Sequence, residues 1–254
     1  MAFPQTHVTL IERLAGGGGD DDWAEFLRDY WEPICRFARE RASLSREDAE
    51  DVASETLQAI VRNNLLSRWS ANRSAKLRTL ICTVVLNILA NRGRIANGRK
   101  KAVREHGGEL DRYLVDLAGS PEGASAESVD AFYAAWAEEL LDRAIDSVLT
   151  AYNESGKGDH VRLLYERICK DKSFKEIAAA LELTANATEK QFRRSMQRLS
   201  NRLKELVRWQ VGRYSSAGEV DTEFGVEWDR LADYLGRHGG LESAVRRSCR
   251  VISA

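Results

Sequence analysis

The sequence predicts an all-α protein: two small helical domains joined by a basic, glycine-containing linker, with a helix-turn-helix in the second domain and a short C-terminal extension. Three observations predict it. Apolar residues recur at helical spacing through most of the chain, as in Phe174, Ile177, Ala178 and Leu181 at i, i+3, i+4 and i+7. No stretch alternates with period two over a credible strand length. Glycine, proline and serine gather between His106 and Ser128, with periodic segments on either side.

The bulk numbers set limits on this picture. A chain of 254 residues has material for one or two cores. Its formal net charge of −1 hides a segregated pattern, so any nucleic-acid binding must come from local patches. Cys35, Cys82, Cys169 and Cys249 form no C-x-x-C pair and read as small buried side chains in a reducing compartment. His7, His106, His160 and His238 are equally scattered, so no metal or other cofactor is expected. No apolar run approaches the ~20 residues that span a bilayer, and the N-terminus lacks a basic segment followed by an apolar core. A cytoplasmic protein without membrane association is the expectation.

The elements follow in order. Residues 1–21 form an N-terminal segment with a short helix over Val8 to Leu14, ended by Gly16 to Gly19. The first domain spans 22–100. Asp20, Asp21 and Asp22 cap a helix carrying Trp23, Phe26, Leu27, Tyr30, Ile34, Phe37 and Ala38, and Pro33 should kink it or restart it. Ser45 and Asp48 resemble a capping box for the next helix, whose Ala49, Val52, Ala53, Leu57, Ile60 and Val61 face inward. On its opposite side Asp48, Asp51, Glu55 and Gln58 align three or four residues apart. Like charges so spaced cost a few tenths of a kcal/mol each in an isolated helix. The pattern suits either a solvated face or a docking surface for a basic partner. Leu65 to Ala75 reads as a polar loop around one aromatic, Trp69. A long helix buries Leu77, Leu80, Ile81, Val84, Val85, Ile88 and Leu89, and a run from Arg92 to Arg104 is basic without an acid.

Residues 101–128 read as the linker. The second domain, 129–211, opens on a helix with Tyr133, Trp136, Leu140, Ala144 and Val148 in one stripe, and a helix over Val161 to Cys169 follows. Next come the short helix of Phe174, a turn, and a helix capped by Thr184. That last helix places Phe192, Leu199, Leu203 and Leu206 on one side. Its other side carries Lys190, Arg193, Arg194, Arg198, Arg202 and Lys204 against only Glu189 and Glu205. Two helices, a tight turn and a basic second helix make a helix-turn-helix, whose second helix enters the DNA major groove. In the extension, 212–254, a loop over YSSAGEVDTEFG precedes a short helix with Trp228, Leu231 and Leu235 and a basic terminus.

This layout, from about Asp22 to Val211, resembles bacterial RNA polymerase sigma factors of the extracytoplasmic-function group. The tetrad Asp48-Ala49-Glu50-Asp51 carries most of the likeness, and Ser120-Pro121-Glu122 ahead of a tryptophan-bearing helix resembles a long-linker variant. The resemblance implies a subunit without catalysis of its own that binds core RNA polymerase and directs promoter recognition and transcription initiation. Asp48, Asp51 and Glu55 would dock on the basic clamp helices of the polymerase. Trp69, Asn72, Arg73, Arg78, Asn87 and Asn91 would take the minus-ten element, where a flipped base is held by stacking and edge hydrogen bonds. Thr188, Lys190, Gln191, Arg193, Arg194 and Arg198 would take the minus-thirty-five element as duplex, where Arg pairs with guanine and Gln with adenine. Arg198, Arg202 and the run from Arg92 would reach phosphates. An anti-sigma factor or a Ser/Thr kinase stays open as a regulatory partner.

Four positions depart from the family pattern. Leu80 stands for the aromatic of the melting helix and Leu86 for an arginine, which weakens strand opening. Glu182 replaces the usual turn glycine, and Glu189 opposes phosphate contact. A second reading follows from these: a sigma-like DNA-binding regulator or interaction protein that no longer opens promoters. An enzyme is disfavoured, because no Ser/His/Asp set, phosphate-cradling loop or paired metal-ligand motif is present in the sequence.

Overall fold

The computed structural model describes residues 9–71, 76–96, 124–216 and 218–252, with the side chains of 94–96 and 249–252 left out. The described residues contain helices and no strand, so the fold is all-α. The helices are α1 (Leu10–Ala15), α2 (Asp20–Ala42), α3 (Arg46–Arg62), α4 (Leu65–Ala71), α5 (Leu77–Ala96), α6 (Ala126–Glu154), α7 (Gly158–Ile168), α8 (Phe174–Ala180), α9 (Ala185–Gly212), α10 (Val220–Arg237) and α11 (Gly240–Ile252). The chain divides into two compact units, Met1–Trp136 and Ala137–Ala254.

In the first unit Thr9 caps α1 through a reciprocal box: its hydroxyl accepts from the Glu12 amide at 3.2 Å, and its own amide donates to the Glu12 carboxylate at 2.8 Å. Leu10, Ile11 and Leu14 are buried beneath it. Helix α2 continues through Pro33 and does not restart there. The proline ring is itself buried beside Ile34 and Phe37, and that packing outweighs the one backbone hydrogen bond it forgoes. Ser45 accepts from the Asp48 amide at 3.1 Å and so starts α3. The segment from Leu65, expected as a loop, is helical to Ala71, because Leu65, Leu66 and Trp69 form one buried face. Each large apolar side chain so buried is worth about 1.5–3 kcal/mol.

Tyr133 and Trp136, expected in the opening helix of the second domain, fall with Phe132 in the first unit. Phe37 meets Phe132 edge-on at 5.4 Å, and the Cys82 thiol donates to the Ser128 carbonyl at 3.4 Å. The division at Trp136 therefore falls inside α6, whereas the expected linker up to Gly123 lies outside the described residues. Burial pushes the Cys35 and Cys82 thiols up to about 12, which leaves them protonated and inert. Cys169 is only half-buried, unlike the expectation for all four cysteines.

In the second unit the remainder of α6 supplies Leu140, Leu141, Ala144, Ile145 and Val148 to a core closed by Leu163, Leu164, Ile177, Leu199 and Leu203. Phe174 on α8 meets Phe192 on α9 at 5.5 Å. The extension is part of this unit. Leu231, Tyr234, Ala244 and Val245 are buried, Tyr234 donates to Glu138 at 3.1 Å, and Arg246 grips Asp171 through two bonds of 2.6 and 2.9 Å. The loop expected over YSSAGEVDTEFG gives way to α10 from Val220. Phe224, Trp228, Leu231 and Leu235 share one helical face there, and the glycines at 218 and 225 disguise that periodicity.

Candidate nucleic-acid and partner interface

The acidic stripe of α3 is not an isolated wet face. Arg92, read from the sequence as a phosphate contact, turns onto it and donates to Glu55 at 2.7 and 3.2 Å. Asp51 lies 3.9 Å from the same guanidinium, and the Asp48 carbonyl accepts at 3.5 Å. The Glu55 carboxylate, and to a lesser degree Asp51 and Asp48, hold the Arg92 pKa above its usual value. Asp51 and Glu55 still expose 73% and 50% of their side chains, so the edge stays open to solvent.

Beside this edge lies a groove of about 580 Å³ between α2 and α3, lined by Trp23, Leu27, Trp31, Leu57, Gln58 and Val61 among others. Val61, expected inward, is 52% exposed in it. Trp23, Leu27 and Trp31 stand at i, i+4 and i+8, on a flank of α2 separate from the buried stripe of Phe26, Tyr30 and Phe37. That second apolar flank was the signal in the sequence for the groove.

Two of the four described residues of the minus-ten set are turned inward. Trp69 is buried in α4 and offers no face on which a base could stack. Arg78 is buried too, its guanidinium 4.1 Å from the Trp136 ring centroid and 5.1 Å from that of Tyr133. Both correct the expectation of DNA contact, for one reason: the apolar helix faces they belong to need filling. Asn72 and Arg73 lie outside the described residues. Asn87 spends its amide on the Thr83 carbonyl at 2.8 Å, and Asn91 is half-exposed.

The face of α9 divides similarly. Thr188 is buried and donates to the Thr184 carbonyl at 3.0 Å, so it works in the helix start rather than toward DNA. Gln191 is half-buried, with its carbonyl oxygen enclosed. Arg193 pairs with Glu189 one turn back at 2.6 Å. Lys190 and Arg194 are exposed and carry no ion pair among the described residues, and Arg198 is exposed with its guanidinium 4.9 Å from the Tyr152 ring. Arg202 is tied to Ser147 and Glu205 at 3.0 Å each.

The turn between α8 and α9 is built around Glu182, which has φ +54°. The Leu183 amide closes the end of α8 on the Ala178 carbonyl at 3.0 Å, one of the two bonds of a Schellman motif. Asn64 and Asp171 adopt the same left-handed region with side chains that tolerate it, whereas Ser43 and Glu182 occupy it at a cost. Behind α9, Ser195 is buried and accepts from the Tyr152 hydroxyl at 3.1 Å, with His160 Nδ1 also 3.1 Å away. Desolvation first, and Lys157 next, hold the His160 pKa below its usual value.

Among the described residues no group of acids, histidines and cysteines is placed to hold a metal ion, and no helix is long and apolar enough to cross a membrane. Comparison with protein-family models, with curated proteins and with solved structures returns no match to this chain.

Proposed function

We propose that the protein is a promoter-specificity subunit of bacterial RNA polymerase, a sigma factor of the extracytoplasmic-function type acting in the cytoplasm. The observation that carries the reading is a pair of surfaces, one in each unit. The first unit presents exposed carboxylates, Asp51 and Glu55, along an apolar groove. The second presents exposed cations on a long helix that follows a short turn.

Each surface suits one task. Carboxylates beside an apolar groove take a basic helical partner, with charge steering the encounter and the groove supplying desolvated area. Cations along a helix attract the phosphates of a duplex, and Lys190, Arg194 and Arg198 are exposed on α9. The subunit so described performs no bond chemistry and lends sequence preference to the polymerase.

A second reading, a sigma-like regulator that binds but does not melt DNA, is favoured by the inward placement of Trp69, Arg78 and Leu80. Reconstituted transcription separates the two. Core polymerase supplied with this protein should gain selective run-off from a subset of genomic promoter fragments. Binding to polymerase or DNA without any run-off product establishes the second reading, and binding to neither refutes both.

A further inference from the structure

Lys190, Arg194, Gln197, Asn201, Lys204 and Arg208 stand at i, i+4, i+7, i+11, i+14 and i+18, so they form one polar stripe along α9. All six are exposed. The stripe's second half is in addition met by α10. The Lys204 ammonium lies 5.0 Å from the Trp228 ring centroid and the Arg208 guanidinium 5.5 Å from that of Phe224. Arg208 also pairs with Asp221 on the first turn of α10. Phe224 and Trp228 are stacked on each other, 6.3 Å apart at 20°, so they form one platform under both cations.

We propose that α10 is a built-in partial cover on the C-terminal half of this stripe, which competes with DNA phosphates for Lys204 and Arg208, limits those that α9 engages and keeps sequence-independent binding weak. The inference rests on α9 being the DNA-contacting helix. Its physical basis is that the two cations already have partners, an aromatic face for each and a carboxylate for Arg208, which a phosphate would have to replace. Phosphate contacts supply most non-specific affinity, so withdrawing two of them raises the share of binding that reads sequence.

The test is a salt titration of full-chain binding to a random-sequence DNA duplex. The Phe224→Ala/Trp228→Ala variant should bind more tightly than wild type. Its plot of log affinity against log salt should steepen by about 1.8, or about 0.9 for each phosphate gained. Asp221→Asn, which alters only an exposed carboxylate, should steepen it by up to about 0.9. Adding Lys204→Ala to the aromatic variant should return about half of the gain. If circular dichroism shows that the aromatic variant has lost helix, the Asp221→Asn slope decides alone. Wild-type binding with unchanged slopes in the variants overturns the cover and leaves the DNA reading intact. A gain that Lys204→Ala does not reduce also overturns it. Absence of duplex binding by every form removes the DNA reading, and the cover with it.

Discussion

Arg92 and His160 show how much a charged side chain's role depends on what it folds against. Arg92 opens a basic run in the sequence, but 37 residues upstream Glu55 takes its guanidinium at 2.7 Å. An exposed pair of this kind contributes about 0–1 kcal/mol. Arg92→Ala should therefore barely move the unfolding midpoint, while it uncovers the acidic edge and strengthens polymerase binding severalfold at low salt. Binding titrations at two salt concentrations check this. Trp69 is the opposite case. As a buried core ring, its replacement by alanine should cost about 3–5 kcal/mol in urea unfolding, and a loss below about 1 kcal/mol would mean that the ring is exposed in solution. His160 makes a prediction in pH. Its pKa is depressed in the fold from the ordinary 6.5, so the unfolded chain binds its proton first. The stability it contributes is complete above about 6.5 and falls as the pH drops through the lower folded value. His160→Gln should lose that part of the acid sensitivity, which paired thermal melts above and below pH 6.5 would reveal.

At the scale of elements, the turn between α8 and α9 and the extension behave differently from what their compositions suggest. Glu182 occupies a left-handed position at a cost of roughly 1–2 kcal/mol relative to a relaxed residue. Glu182→Gly should recover part of it, about 0.5–1 kcal/mol once the greater freedom of the unfolded glycine is deducted, and chemical denaturation would measure the gain. Most helices were legible because their apolar residues recur at 3.6-residue spacing, as in Leu77, Leu80, Ile81, Val84 and Val85. α4 was not, since seven residues with Ser67, Arg68 and Ser70 among them carry too little periodicity to outweigh their polarity. α10 was missed at its start for a related reason: Gly225 and three acids mask a stripe whose value appears only when α9 lies against it. Burial of Leu231 and Tyr234 there means that deleting the extension should destabilise the second unit.

For the whole molecule, the sequence showed which residue types each surface holds, and less of how they are spent. Asp51 and Glu55 were legible as an acidic edge because helical spacing alone aligns them, but their link to Arg92 depends on a contact across 37 residues that no local pattern encodes. The groove was not read from the sequence: Trp23, Leu27 and Trp31 mark one wall on α2, but its other wall comes from α3. Trp69 and Arg78 were misread because aromatic and cationic residues beside a polar stretch look alike whether they face solvent or fill a core. The proposed function turns on docking of core RNA polymerase at the acidic edge. Co-purification of core polymerase with wild type and with an Asp51→Lys/Glu55→Lys variant tests it most directly. Both side chains are at least half exposed, so the reversal should leave the fold intact. The account predicts retention of polymerase by wild type and its loss in the variant. Equal retention by both, or retention by neither, would contradict it.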